Sequence, residues 1–415
     1  MTRQKKIAVF VGGLTVVLIG VLIGIIIFLL RSTNRLTTYR MDTQVANVHV
    51  GGLYVNQARE QITKEALKWR DEADIQLIYQ LDYRIPIDNM VFSFDVNGTI
   101  QKIRDGETIP IDVSFQPQYQ DYLAKLIEEH AHILKYSDFD LQQLENDLLH
   151  QVGMLKSPIW IELGHYVLNL DINKKEIATT TLYGIDDKIF PLIEEYFDGR
   201  IEMTIQPNAY FHLTDVMKEL AKERLTGEKA SIFNDEQLSV LGTGIYELIL
   251  YTNFMNIQRS ITEDPFALPN YIYNRPGFEV RIDTNKGIDF SFYNPNATPY
   301  TVIITQSGAG LKFILTGAPF IHTIEVIGAD DVQLIDYPTI TIERTEYLGK
   351  EIKPGQPIRI NGKEGKVVKI SRKITSFNTD GSVKEVKVLV MNEDHYLPRP
   401  QLIIYHPDDR NMLNV

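Results

Sequence analysis

An α+β fold behind a single amino-terminal transmembrane helix is what this sequence predicts, and three observations predict it. Ile7 to Leu30 is an apolar run without a charge. From Val48 to Thr305, segments with apolar residues at every second position alternate with segments spaced three and four apart. Beyond Thr305 the chain is strand and turn alone. The division expected is residues 1–47 as cytoplasmic amino terminus, anchor and tether, 48–200 as an α+β module, 201–316 as a central α+β block, and 317–415 as a β-rich module. With 415 residues, 44% of them hydrophobic and 23% charged, there is chain enough for several cores of ordinary globular composition.

At about 1.5 Å per helical residue the Ile7–Leu30 run crosses the ~30 Å hydrocarbon layer. Arg3, Lys5 and Lys6 ahead of it are compatible with a signal peptide. The run is longer than the ~7–15 apolar residues of such signals, however, and Arg31-Ser32-Thr33-Asn34-Arg35 offers no small-x-small cleavage site. A retained single-pass anchor is therefore expected. Arg31, Arg35 and Arg40 balance the basic residues in front, so local basic residues do not orient the span. Net charge says more. The whole chain carries −12, and the body beyond these basic flanks is more acidic still, which disfavours nucleic acid and anionic lipid as partners. A chain with no cysteine suits an oxidising compartment. The expected arrangement has the amino terminus inside and the large domain outside.

Gly51-Gly52 allows a sharp turn from strand into a helix capped by Asn56, with Ala58, Ile62, Ala66 and Trp69 on one face. A phosphate cradle at these glycines would need a further Gly or Lys that the sequence lacks. Ile75, Leu77, Tyr79, Leu81, Tyr83, Ile85 and Ile87 then alternate as a bent strand or strand pair, and Ile109 to Phe115 forms another. Helices follow at Tyr119–Leu134 and Phe139–Leu155. His130 and His132 are two apart on the first of these and point to different sides, so no metal pair is expected. A strand region around Trp160 and a short helix from Phe190 to Phe197 complete the module. Asn97-Gly98-Thr99 and Asn296-Ala297-Thr298 fit the glycosylation pattern only as chance matches.

The central block opens with the turn Gln206-Pro207-Asn208 and is dominated by an apolar helix, Leu238 to Phe254. Asp235 is placed to cap it and Glu236 to complement its positive end. Leu238, Leu241, Ile245, Leu248, Ile249 and Thr252 make one buried face. Gly242 and Gly244 inside the helix cost ~1 kcal/mol each relative to Ala, which implies that something packs closely against them. In the last third, Lys366–Arg372 and Val383–Val388 alternate around the turn Asn378-Thr379-Asp380-Gly381 as a hairpin. Its basic residues Lys366, Lys369, Arg372, Lys373, Lys384 and Lys387 serve to discourage edge pairing rather than to bind polyanions.

Several of these stretches resemble the VanW-like proteins of Gram-positive cell envelopes. Val50-Gly51-Gly52-Leu53-Tyr54-Val55-Asn56 resembles their amino-terminal module, described as peptidoglycan-binding. Arg275-Pro276-Gly277, Asp289-Phe290-Ser291-Phe292-Tyr293-Asn294 and Tyr396-Leu397-Pro398-Arg399-Pro400 are similar to the family's central and carboxy-terminal motifs. Aligned through Tyr246, Ser239 stands where the family has Cys and Val240 where it has Gln, and a family His falls near Glu263 or Asp264. A Ser replaces a thiol only with a base beside it, and no His lies between His212 and His322. The resemblance thus implies a membrane-anchored extracytoplasmic scaffold that binds peptidoglycan or other membrane proteins, without cofactor or metal. The alternatives are an envelope hydrolase or transferase using Ser239 with Glu263, Asp264 and Glu279, or a subunit of a secretion, conjugation or sporulation apparatus.

Overall fold

The computed structural model describes residues 20–23, 38–80, 83–134, 138–168, 174–224, 231–263, 269–273, 275–378 and 380–412. Most of the Ile7–Leu30 run lies outside these residues; Gly20–Ile23 are helical. Among the described residues no helix is long and apolar enough to cross a membrane. The architecture is mixed α+β, in two compact units: Met1–Glu129 with Asp140–Tyr166, and His130–Phe139 with Val167–Val415.

In the first unit the helix Val55–Glu72 buries Ala58, Ile62, Ala66 and Trp69, the face expected. It starts two residues earlier than expected: Gln57 Oε1 accepts from the Tyr54 N–H at 3.1 Å, so Asn56 is inside the helix and not its cap. Gly51 is required by space, since a Cβ there would lie 2.3 Å from the Met41 carbonyl oxygen, and Gly52 has φ +77°. The alternating run is a strand pair, Ile75–Tyr79 antiparallel to Tyr83–Pro86, with Ile159–Glu162 parallel on the other side. The helix Leu141–Gly153 is capped by Asp140, whose Oδ1 accepts from the Gln143 N–H at 3.0 Å, and buries Leu144, Leu148 and Val152. The helix expected from Tyr119 to Leu134 is broken: Tyr122–Glu129 lies in this unit, and Ala131–Leu134 is a separate short helix counted with the second.

The second unit is built on a four-stranded antiparallel sheet, ordered Arg200–Ile205, Tyr300–Ser307, Gly310–Gly317, Lys175–Tyr183. Lys175–Tyr183 pairs along the whole of Gly310–Gly317, which places the stretch from Val167 with the central block. The second compact unit takes in Val167–Val415 together with His130–Phe139. No break separates residues 201–316 from 317–415, because the carboxy-terminal hairpin shares a polar core with the block, described below.

A second sheet joins Ala209–His212, Ser291–Asn294 and Met255–Gln258. In the third, Thr323–Ile327 and Val332–Ile335 both pair with Gly365–Phe377, whose remaining edge takes Val383–Tyr396. Finally, Gln401–Tyr405 lies between Thr339–Glu343 and Ile358–Ile360.

The central helix runs from Asp235 to Ile249 and every residue from Gln237 onward is buried, so the single apolar face expected is instead a whole buried circumference. Its cap is Asn234, one residue before Asp235: Asn234 Oδ1 accepts from the Gln237 N–H at 2.9 Å and Gln237 Oε1 from the Asn234 N–H at 3.0 Å. The two glycines do admit close neighbours. A Cβ on Gly244 would sit 2.4 Å from the Phe313 ring, and one on Gly242 would sit 2.8 Å from Val280 Cγ1. Helix propensity favours Gly244→Ala by at most ~1 kcal/mol, while overpacking a rigid core costs ~1–3 kcal/mol. Gly244→Ala is therefore expected to lower the urea unfolding midpoint of the protein; an unchanged or higher midpoint would show that Phe313 has room to move.

Candidate functional site at the central helix

Ser239 and Thr243 lie one above the other on the central helix, four residues apart, and both face the extended segment from Phe278 to Ile282. Ser239 Oγ accepts from the Ile282 N–H at 2.9 Å and donates to the Asp235 carbonyl at 2.7 Å. Thr243 Oγ1 accepts from the Val280 N–H at 3.0 Å. The match is geometric: four helical residues rise about 6 Å, and alternate residues of an extended chain are spaced about 6.6 Å. Two hydroxyls thus replace the missing neighbour strand for residues 280 and 282, and Gly242 lets the segment approach. Ser239 is 8% exposed. Its oxygen is engaged by backbone on both sides, and no histidine bonds to it among the described residues.

Glu279 is on the same segment but serves a different cluster. It is 1% exposed; Oε1 accepts from the Thr262 N–H at 3.0 Å and from the Thr262 hydroxyl, while Oε2 has no hydrogen-bond partner among the described residues. Burial pushes its carboxyl above the usual carboxylate range, against the Thr262 hydrogen bonds. Arg259 donates to the Glu279 carbonyl and to Asp394 Oδ1, both at 2.5 Å, and its guanidinium lies 4.6 Å above the Tyr246 ring. Tyr396 donates to Asp394 Oδ2 at 3.3 Å and accepts from the Gly277 N–H at 3.2 Å. Tyr246 donates to Asn392 Oδ1 at 2.6 Å, and Asn392 donates in turn to the Gly277 carbonyl at 3.2 Å. Burial holds both phenols, Tyr246 and Tyr396, above their ordinary values. The cluster ties the helix, the turn at Gly277 and the strand Val383–Tyr396 into one body.

The far end of the helix is closed by another residue of the hairpin. Arg372, 3% exposed, donates from Nη2 to the Ile249 carbonyl at 2.6 Å, from Nε to Leu250 at 2.9 Å and from Nη1 to Phe254 at 2.6 Å. A cation on these carbonyls answers the negative end of the helix dipole, so the helix stops at Ile249, short of the Phe254 expected. Burial pushes Arg372 down to about 10, which leaves it protonated at neutral pH. Arg372 accordingly leaves the expected basic surface stripe. Lys369, Lys373 and Lys387 within that stripe pair with Glu393, Glu325 and Glu385.

Of the sequence candidates, Glu263 is exposed and Asp264 lies outside the described residues. Ser239 and Glu279 are not hydrogen-bonded to each other. Asp235, expected as the cap, accepts from the N–H and hydroxyl of Thr284 at 3.1 and 2.8 Å. Asn296 is 2% exposed and bonded to Asn253 and Asn294, which removes it as a glycan acceptor. Arg259, Asp394, Asn392 and Arg372 were not anticipated. The one sequence signal for them is parity, since Asp394 and Tyr396 share the inward face of their strand.

Two clefts open beside the amino end of the helix and share Asn234 and Glu236. One, of about 380 Å³, is lined by Asp186, Ile189, Gln237 and Tyr271 as well. The other, of about 610 Å³, adds Met217, Lys218, Phe233 and Leu238. These are places where a ligand group would find both apolar walls and hydrogen-bonding side chains.

No family model matches the chain, and no curated protein matches it. Several of the motif residues named in the sequence analysis have a structural role in this chain. Asp289 accepts from the Thr214 N–H and hydroxyl at 3.2 and 2.9 Å, Phe290 and Phe292 are fully buried, and Asn294 donates to Gln206 and Thr298 carbonyls. Arg275 pairs with buried Glu247, and Gly277 meets Tyr396.

Removing Arg259 would strand the Asp394 carboxylate, so Arg259→Met is expected to destabilise by ~3–5 kcal/mol, measured by chemical unfolding. Glu279 titrates higher in the folded than in the unfolded state, so its contribution is intact below the unfolded value of ~4.3 and is lost as pH rises through the raised folded value. Glu279→Gln, which imitates the protonated acid, should gain stability over the native chain as pH rises from below the usual carboxylate range through the raised folded value. A constant difference across that range would place the titrating group elsewhere.

Proposed function

We propose that this protein is a membrane-anchored, extracytoplasmic component of the cell envelope, related to VanW-like proteins, that acts as a non-catalytic scaffold. Its partner in this reading is peptidoglycan, or another membrane protein that assembles on it. The observation that carries the non-catalytic part is the hydrogen bonding of Ser239: its oxygen accepts from Ile282 and donates to Asp235, so it is a peg for backbone and not a poised nucleophile. Glu279, on the segment that Ser239 meets, is held by Thr262 in the Arg259–Asp394 cluster.

A binding role is supported by the clefts beside Asn234 and Glu236. Their mixture of apolar walls, amide and carboxylate suits the N-acetyl groups and peptide amines of a wall polymer. The anchor rests on the length and apolarity of Ile7–Leu30, and the outside address on the acidic, cysteine-free body and the family resemblance.

Two measurements test the reading. Purified full-length protein is expected to be retained on cell-wall sacculi, and Glu236→Ala, which alters both clefts, to weaken that retention; no retention above an unrelated membrane protein would remove wall binding. Ser239→Ala is expected to leave retention intact while costing ~1–3 kcal/mol of stability, since the Ile282 N–H is left unsatisfied. Turnover of an envelope substrate that disappears in Ser239→Ala would reverse the non-catalytic conclusion. For the address, Leu348→Cys puts a lone thiol at a position 83% exposed. A maleimide that cannot cross the bilayer should label it on intact cells.

A further inference from the structure

The hairpin strand Val383–Tyr396 is an edge. Gly365–Phe377 has one side occupied by Thr323–Ile327 and Val332–Ile335 and the other by Val383–Tyr396, which pairs with nothing further among the described residues. Its root is immobilised through Asn392, Asp394 and Tyr396. Its outer part is bare: every residue from Val383 to Val390 is exposed, with Val386, Val388, Leu389 and Val390 at 46–57%. A surface strand with one wet face alternates apolar and polar; this strand offers apolar side chains on both faces together with an open row of backbone donors and acceptors. Such an edge is a template for another strand.

We propose that a second copy of this chain pairs with this edge, strand antiparallel to strand, with Val386 on the two-fold axis. The argument is charge complementarity under symmetry. Two antiparallel neighbours related by a two-fold axis perpendicular to the sheet set residues of equal parity opposite each other. An axis at Glu385 opposes two carboxylates, and one at Lys387 opposes two ammonium groups; like charges directly opposite are unfavourable. With the axis at Val386, each Glu385 faces the partner's Lys387 and Val386 faces its own copy. Within one chain Lys387 Nζ is already 3.1 Å from Glu385 Oε2, so the pair of copies closes a ring of alternating charge. An axis at Val388 would set Lys387 against Leu389 with no ionic partner. Pairing with the inner strand is regular from Glu385 to Val390, with irregularities only beyond these ends, so the stretch around the axis is straight enough to accept a neighbour. A polyanion is a poorer occupant, because Lys387 already has a carboxylate beside it.

The native chain has no cysteine, so single-cysteine variants of the full-length protein in mild detergent give a clean test. Paired residues in an antiparallel sheet have Cβ atoms about 4.5–5.5 Å apart, close enough for mild oxidation to bridge them. Val386→Cys is expected to form covalent dimer roughly tenfold faster than the more exposed control Leu348→Cys. Glu385→Lys and Lys387→Glu should each weaken the dimer to roughly a tenth of native affinity, and the double reversal should restore it. All of these substitutions are on exposed side chains, so the fold is retained. No excess cross-linking at Val386, faster cross-linking at Val388→Cys, or a double reversal no better than the singles would each overturn the proposal.

Discussion

A helix with no side turned to water sets the terms for the whole second unit. From Gln237 to Ile249 the central helix is enclosed, so groups that a surface helix would leave to solvent must be met by protein. Its last carbonyls take Arg372 from a strand more than a hundred residues away in the chain. Its hydroxyls take the backbone of residues 280 and 282. Its phenol, Tyr246, takes Asn392 and lies under Arg259. Each orphaned polar group inside a core costs on the order of 1–3 kcal/mol. Satisfying all of them at once is therefore what joins the block and the carboxy-terminal hairpin into one body.

This arrangement also explains why a serine stands at position 239 inside a buried helix. The site of Ser239 on the helix is the right height to meet Ile282, and a hydroxyl is the smallest side chain that both accepts a hydrogen bond there and returns one to the helix backbone at Asp235. The adjacent turn of the helix does the same with Thr243. A role in holding backbone is sufficient reason for a polar side chain at both positions, and neither needs a substrate. Among the described residues the Ser239 hydroxyl bonds two backbone groups, the Ile282 N–H and the Asp235 carbonyl.

How much of this was legible in the sequence depends on the range of the interaction. Local features were: the buried face Ala58, Ile62, Ala66, Trp69, the alternating hairpin of residues 366–388, and close packing at Gly242 and Gly244 all follow from spacing and residue size. The strand Lys175–Tyr183 was not, because Lys, Glu and three threonines hide its alternation and it is stabilised by its partner, Gly310–Gly317. The cap moved from Asp235 to Asn234 because Thr284, distant in sequence, takes the Asp235 carboxylate. Arg372 read as one of a row of surface cations, since nothing within its own strand reveals that the opposite face meets a helix end.

By itself, then, the sequence determined the elements whose cause lies within a few residues: periodicity, turn chemistry, the apolar amino-terminal run, and the absence of cysteine that rules out a thiol nucleophile. Tertiary structure alone decided that the Ser239 hydroxyl bonds the backbone of Ile282 and Asp235, that Glu279 belongs to the Arg259–Asp394 cluster, and that residues 167–415 fall in one unit. The physical reason is that a hydrogen bond or ion pair in a core is specified by both partners, and here those partners are separated by tens to more than a hundred residues of chain.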